Sequence, residues 1–310
     1  MIRVVDGINA FFDHLAAVDL VPAFFAVLAQ LAKLGCTSMA WRNVLAAAYP
    51  ETRVRRLPIV GAYLAGVGVN AIVPVRAGDA VRIVLAHRSI PKSTYTTVVS
   101  STLVLAIFDL TMATLLLAWA IATQNALPRI GDLPDLPSFD FAWLLDHPLP
   151  AELMLAALLI ALALVGIWIA GHVANFWARV LQAFAVLRSP ARYFRTVAVW
   201  QAGDWAFRFV TIWFMLDAFN IPQSLQNVLL VQVSASVATV LPLTPAGIGT
   251  EQAFLLYVFR GTVPSSQLLA FSVGMRLTLI ATNVVAGFTA IALTLRTLRY
   301  NHLLRSREDP

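Results

Sequence analysis

Charge is scarce in this chain. Of 310 residues only 12% are charged, while 59% are hydrophobic. A soluble domain would carry about 25% charged residues, so a water-soluble globule with one buried core is excluded. Cysteine is almost absent. Cys36 stands alone, which rules out an intramolecular disulfide. No Cys/His cluster suggests zinc, and neither a metal nor another cofactor is expected. The N-terminus lacks a basic stretch followed by a short apolar run and a small-residue cleavage site. Asp6, Asp13 and Asp19 argue against a cleaved signal, so the first membrane helix is expected to direct the chain to the membrane.

What the chain does contain is apolar sequence, with a mean hydropathy of +0.77. Apolar segments of 18 or more residues recur, each long enough to cross roughly 30 Å of hydrocarbon. Helices are expected over 15–34, 93–122, 151–174, 195–218, 223–241 and 266–295. Shorter or interrupted stretches lie at 58–75 and 249–260. The fold class is all-α: a polytopic membrane protein with about six full transmembrane helices and two interrupted, re-entrant helical segments in a pseudo-inverted repeat. One integral membrane domain is expected over 1–310. Its first half, 1–122, contains the broken segment 58–82. An acidic external loop follows at 123–150, then a second half, 151–295, with the broken segment 223–260, then a basic tail, 296–310.

The loops sort by charge. Arg42, Arg53, Arg55 and Arg56 fall in 42–56, and Arg76, Arg82, Arg88 and Lys92 in 76–92. Arg179, Arg188, Arg192 and Arg195 fall in 179–195, and Arg296, Arg299, Arg305 and Arg307 in the tail. By contrast, 123–150 holds Asp132, Asp135, Asp140 and Asp146 against Arg129. Basic loops stay in the cytoplasm. The four basic stretches, including the C-terminal tail, are therefore expected inside, and the acidic loop outside. The cell (plasma or inner) membrane is the expected location. The formal charge of +6 is explained by these loops, and no nucleic acid is needed as a partner.

This assignment creates a conflict. Segment 58–75 lies between two basic stretches, so crossing the membrane would put one of them outside. It also contains Gly61, Gly66, Gly68, Asn70 and Pro74. A re-entrant hairpin removes the conflict, since irregular backbone is tolerated at membrane depth where protein or a wet cavity covers it. By the same reasoning, 223–260 starts and ends outside. The two breaks resemble each other: "VPVRAGDA" (73–80) and "LPLTPAGIGTEQA" (241–253) share apolar-Pro-apolar, Ala-Gly and a later carboxylate, Asp79 or Glu251. Paired broken segments in two halves point to a transporter with a midplane site.

Within the second break, Pro242 and Pro245 remove backbone donors, and Gly247 and Gly249 permit unusual backbone. A new helix is expected to start near Thr250–Glu251. Its free N–H groups could hold an anion such as a lipid phosphate. Glu251 could instead cap that end, or hold a cation beside it. A plain surface loop is the bland alternative.

Ionisable groups inside apolar segments are costly and call for partners. Asp109 and Arg276 are two such groups. Asp204 and Arg208, four apart, share a helix face and can pair. An internal structural pair would explain them equally well. Glu251, Arg276 and the Asp204–Arg208 pair are expected to line one polar interior. Candidate substrate-binding residues are Asn70, Arg76, Asp79, Arg82, Asp204, Arg208, Thr244, Glu251 and Arg276. The structural breaks are Pro74, Gly78, Pro242, Pro245, Gly247 and Gly249. No catalytic or metal-ligating residue is expected.

"NAIVPVRAGDAVR" (70–82), "LPLTPAGIGTEQAFLLYVF" (241–259), the Arg276 of "GMRL" and "AWRNVL" (40–45) together resemble the flippase-like transmembrane domain of the lysylphosphatidylglycerol synthases and its stand-alone relatives. The resemblance extends along nearly the whole chain in order and spacing. It implies a transporter that moves a lipid, often with a charged head group, between leaflets. "AWRNVL" would close the first helix. Asn70, Pro74, Arg76, Gly78, Asp79, Arg82, Pro245, Gly247, Gly249, Glu251 and Arg276 match its motif positions. Leu105 and Ala106 stand where the family often has a Glu-Arg pair, and Ala246 replaces a usual glycine. No aminoacyl-transferase domain is read in these residues, so this chain is not expected to make an aminoacyl lipid by that family's route.

The favoured reading is a lipid flippase, not an enzyme. Its cargo would be a membrane lipid, either a phospholipid or a polyprenyl-phosphate-linked one. A homo-oligomer or a synthase partner is compatible with it. The runner-up is a membrane anchor or regulator of a lipid or glycan synthase, which would not need buried charges in both halves. An intramembrane lipid transferase ranks lower, because no aligned acid/base pair or activated nucleophile is evident.

Overall fold

A computed structural model describes residues 10–73, 77–124, 174–240 and 250–305. Among these residues the chain is helical, with no strand. After a short helical segment at 10–16, nine longer helices follow. They are α1 (Leu20–Ala48), α2 (Arg56–Ile72), α3 (Ala77–Ser89), α4 (Tyr95–Gln124) and α5 (Ala174–Ala183). The second part contributes α6 (Val199–Ala218), α7 (Leu225–Val240), α8 (Thr250–Val258) and α9 (Ser265–Arg305). Among the described residues, three stretches are long and apolar enough to cross a membrane: Leu20–Ala48, Tyr95–Ala120 and Ser265–Leu293. The all-helical membrane character expected from composition therefore holds. Of the other expected spans, α6 carries Asp204, Arg208 and Asp217, α7 has 16 residues, and 151–173 lies outside the described residues.

Helix α1 corrects the sequence reading. The apolar pattern put its end at 34, with Arg42 in a basic loop, and the resemblance put it at 40–45; it runs 29 residues, from Leu20 to Ala48. The reason is local. Arg42 donates from Nε and Nη2 to the Val54 carbonyl at 3.1 and 2.7 Å, and from Nη1 to Asn43 at 3.0 Å. A guanidinium satisfied in this way can remain on the helix. At the start, Asp19 caps α1 by accepting from Val21 N at 2.9 Å. Helix α9 is also longer than expected: its 41 residues carry the helix through much of the basic tail.

The helix ends fall into two groups. At one end the Asp19 N–H donates to Ala218 O at 2.9 Å, and Gln267 Nε2 to Phe219 O at 2.8 Å. The starts of α1 and α9 therefore meet the finish of α6. At the other end the Thr94 N–H donates to the Tyr49 hydroxyl at 3.1 Å, and Gln182 Nε2 to Ala48 O at 2.8 Å. About 43 Å of α1 separates the two, at 1.5 Å per residue. The α2–α3 pair leaves from and returns to the second end. The α7–α8 pair begins just after α6 and finishes at Phe259, in the same core as Phe219 and Ile221 at the first end.

Small residues let these helices approach closely. Helix α1 makes its most extensive contact with α6, where a Cβ on Gly203 would lie 3.1 Å from Cys36 Sγ. Helices α2 and α9 cross at Gly68 and Gly287. One core gathers Trp41, Leu45 and Ile59, and the other Met215, Leu255 and Phe271. Large apolar side chains such as Leu20, Leu57, Leu110 and Val285 are exposed, as expected of a surface that faces lipid.

Candidate functional site

Asn70, in the last turn of α2, ties that helix to the first turn of α3. Its Oδ1 accepts from the Gly78 N–H at 2.7 Å, and its Nδ2 donates to Asp79 Oδ1 at 3.0 Å. A side chain at 78 would not fit, because its Cβ would lie 2.7 Å from Asn70 N. Asp79, so oriented, holds Arg82 at 3.2 Å one turn on. Asn70, Gly78, Asp79 and Arg82, all singled out in the sequence, are thus brought together. Pro74 and Arg76 lie outside the described residues.

Arg82 reaches inward across two aromatic faces. Its guanidinium carbon lies 5.8 Å from the Trp41 ring centre and 5.9 Å from that of Tyr63, within cation–π range. Its Nε is buried, with no hydrogen-bond partner. The Tyr63 hydroxyl lies against Thr37 of α1, and the Thr37 hydroxyl donates to Asp204 Oδ1.

Asp204 is the centre of a second group. It is only 3% exposed. Arg208 pairs with its Oδ2 at 2.9 Å and lies 4.6 Å from the Trp205 ring centre. The i,i+4 pair expected from the sequence is formed. Lys33 of α1 approaches Asp204 Oδ1 at 4.0 Å. Trp205 donates through its indole N–H to Asp109 of α4 at 2.9 Å. One turn earlier on α6, Gln201 Nε2 donates to Leu105 O at 3.0 Å, while its Oε1 is buried without a partner. Leu105 is one of the two positions where a Glu-Arg pair was expected from the resemblance. A succession of contacts therefore runs from Asn70 through Arg82, Tyr63 and Thr37 to Asp204 and its neighbours.

Glu251 and Arg276 lie within electrostatic reach of each other on α8 and α9. Gln252 Nε2 donates to Ser272 Oγ at 2.9 Å and fastens α8 to α9. Thr244, Pro242, Pro245, Gly247 and Gly249 lie outside the described residues, so no geometry is drawn for them. Lys33, Thr37, Trp41, Tyr63 and Trp205 were missed as site residues. Lys33 was detectable by the rule that marks Asp109, an ionisable group inside an apolar helix.

The site thus sets Arg82, Arg208 and Lys33 against Asp79, Asp204 and Asp109, in or beside helices that are largely apolar. No curated protein and no solved structure matches the chain significantly. The model of the lysylphosphatidylglycerol synthase TM region matches residues 4–287, and the chain belongs to that family of membrane domains.

Proposed function

We propose that the chain is a lipid translocator. It moves a lipid with a charged polar head between leaflets of the plasma or inner membrane and leaves the lipid chemically unchanged. In this reading about six helices span the bilayer, the tail lies in the cytoplasm, and α2–α3 and α7–α8 re-enter from opposite faces. The head group is held near the midplane by residues of the two hairpins and of α6, while its tails stay in lipid. The halves then rock around it.

The observation that carries this reading is the placement of the hairpins. Each leaves and rejoins the bundle at one end, and the two ends are opposite. Asp79 and Arg82 of the first hairpin are joined through Tyr63 and Thr37 to Asp204 and Arg208 of α6, and ionisable groups inside apolar segments are costly and mark functional sites. The test is the purified chain in liposomes with fluorescent phospholipids and a polyprenyl-phosphate lipid. Movement of one of them across the bilayer, with its mass unchanged, is expected. Glu251→Gln and Arg276→Ala should each abolish that movement while the protein still inserts. A changed mass would point to a transferase. No movement of any lipid, including one that co-purifies with the chain, would sink the reading and favour an anchor or regulator.

A further inference from the structure

Lysine is rare in this chain. Of its 22 basic residues only Lys33 and Lys92 are lysines. Lys92 sits in a turn, with φ 58°. Lys33 sits in the middle of α1, 13 residues after Leu20 and 15 before Ala48. A chain that uses arginine almost everywhere puts its one membrane-helix lysine beside the buried Asp204.

Lys33 is not needed to neutralise that carboxylate. Asp204 Oδ2 is taken by Arg208 at 2.9 Å, and Oδ1 by the Thr37 hydroxyl. Lys33 Nζ stands off at 4.0 Å, beyond hydrogen-bond distance. Among the described residues its ammonium makes no hydrogen bond. The second carboxylate in electrostatic reach, Asp109, is engaged by the Trp205 indole. Beside Lys33, Arg208 has a buried Nε without a partner. The three ammonium donors of Lys33 are thus unspent, and Arg208, within electrostatic reach of it, carries a further donor without a partner. The Lys33 and Arg208 side chains keep 20% and 29% of their surface open.

The geometry assigns Lys33 as an anion subsite for the phosphate of a lipid head group, with Arg208 beside it. An ammonium is a compact point charge with freely rotating donors and accepts phosphate in many orientations. Lipid phosphate is favoured over a free anion because Lys33 lies at membrane depth, where a tethered head group costs no separate entry. The subsite rests on the translocator reading for its use, though not for its existence.

The test measures binding as well as movement. The full chain is placed in nanodiscs with phosphatidylglycerol or a glucosyl-diacylglycerol of the same acyl chains, and the bound lipid is counted by native mass spectrometry. Wild type should prefer the phosphate lipid. Lys33→Met should weaken binding of that lipid about tenfold or more and leave the glycolipid unaffected, as expected for loss of a charge-assisted contact. Lys33→Arg should keep most of the preference. An unchanged preference in a folded Lys33→Met protein would overturn the assignment. So would an equal loss in Lys33→Arg, or displacement of the lipid by millimolar inorganic phosphate. A chain that binds through Lys33 but moves no lipid would refute the translocator and leave the subsite standing. A chain that moves lipid with an unchanged preference in Lys33→Met would refute the subsite alone.

Discussion

Gly68 of α2 and Gly287 of α9 touch backbone to backbone. A Cβ placed on Gly68 would lie 2.7 Å from the Gly287 Cα, and a backbone atom cannot swing aside as a flexible side chain can. This crossing fastens the first hairpin to the last helix. Gly68→Ala should therefore lower the unfolding temperature in detergent, by an overpacking cost of about 1–3 kcal/mol. Gly35→Ala is the control, since nothing lies within 4 Å of a Cβ there. It should be neutral or slightly stabilising, because alanine is the better helix former. Equal stability of the two variants would contradict the packing described.

The tie between α2 and α3 makes a separate prediction. Asn70 spends both ends of its amide, on the Gly78 N–H and on Asp79. Asn70→Leu should release the first turn of α3 from α2 at nearly constant side-chain volume, and Asp79 would then hold Arg82 less well. Lipid movement should fall about tenfold, in proportion to a lost hydrogen bond of about 1–1.5 kcal/mol, and the melting temperature should fall as well, because the Gly78 N–H loses its partner. Asn70→Asp keeps the acceptor for Gly78 but repels Asp79, so it should be as damaging. Wild-type transport by both variants would show that this tie carries no function.

How much of this was legible in the sequence depends on the kind of signal. Pro74, Gly78 and Asp79 mark the first break because proline and glycine act on the backbone locally. Asp204 and Arg208 could be paired because four residues on a helix place side chains on one face. The end of α1 could not be read from the apolar pattern, although the resemblance put it at 40–45, near the observed Ala48. Arg42 looked like loop charge, and only its bonds to Val54 O explain why the helix passes it. Lys33 was lost with that error, since it fell at the expected end of the helix rather than in its middle. Trp41, Tyr63 and Thr37 join the two charged groups through contacts between α1, α2 and α3. Periodicity along one segment does not encode such contacts.

Orientation can be tested directly. Asp13 is exposed just before α1, at the end where Asp19 meets Ala218, and Arg88 is exposed at the opposite end, where α3 finishes. In a Cys36→Ser background, single cysteines at 13, 88 and 135 would be treated with an impermeant thiol reagent in intact cells. Positions 13 and 135 should react and position 88 should not. Reaction at 88 alone would invert the topology. Reaction at both 13 and 88 would mean that α1 does not cross the membrane.

The Asp204–Arg208 pair can be tested as a structural unit or as a site. Asp204 is 5% exposed in its side chain and Arg208 29%. Removing one partner leaves a charge in a poorly solvated place. Asp204→Leu would strand both Arg208 and Lys33. Its destabilisation should be large but below the roughly 3–5 kcal/mol of a fully buried pair, because Arg208 retains some contact with its surroundings. Arg208→Met should cost less, since Asp204 keeps Thr37 and can draw Lys33 closer. If the pair serves only the fold, the double variant Asp204→Leu/Arg208→Met should recover stability and lipid movement together, because an ion pair can be replaced by apolar packing. If it handles cargo, stability should return and movement should not. The second outcome is the expected one, since Arg208 keeps a buried Nε without a partner. A pair optimised for folding alone has no reason to leave that donor unspent.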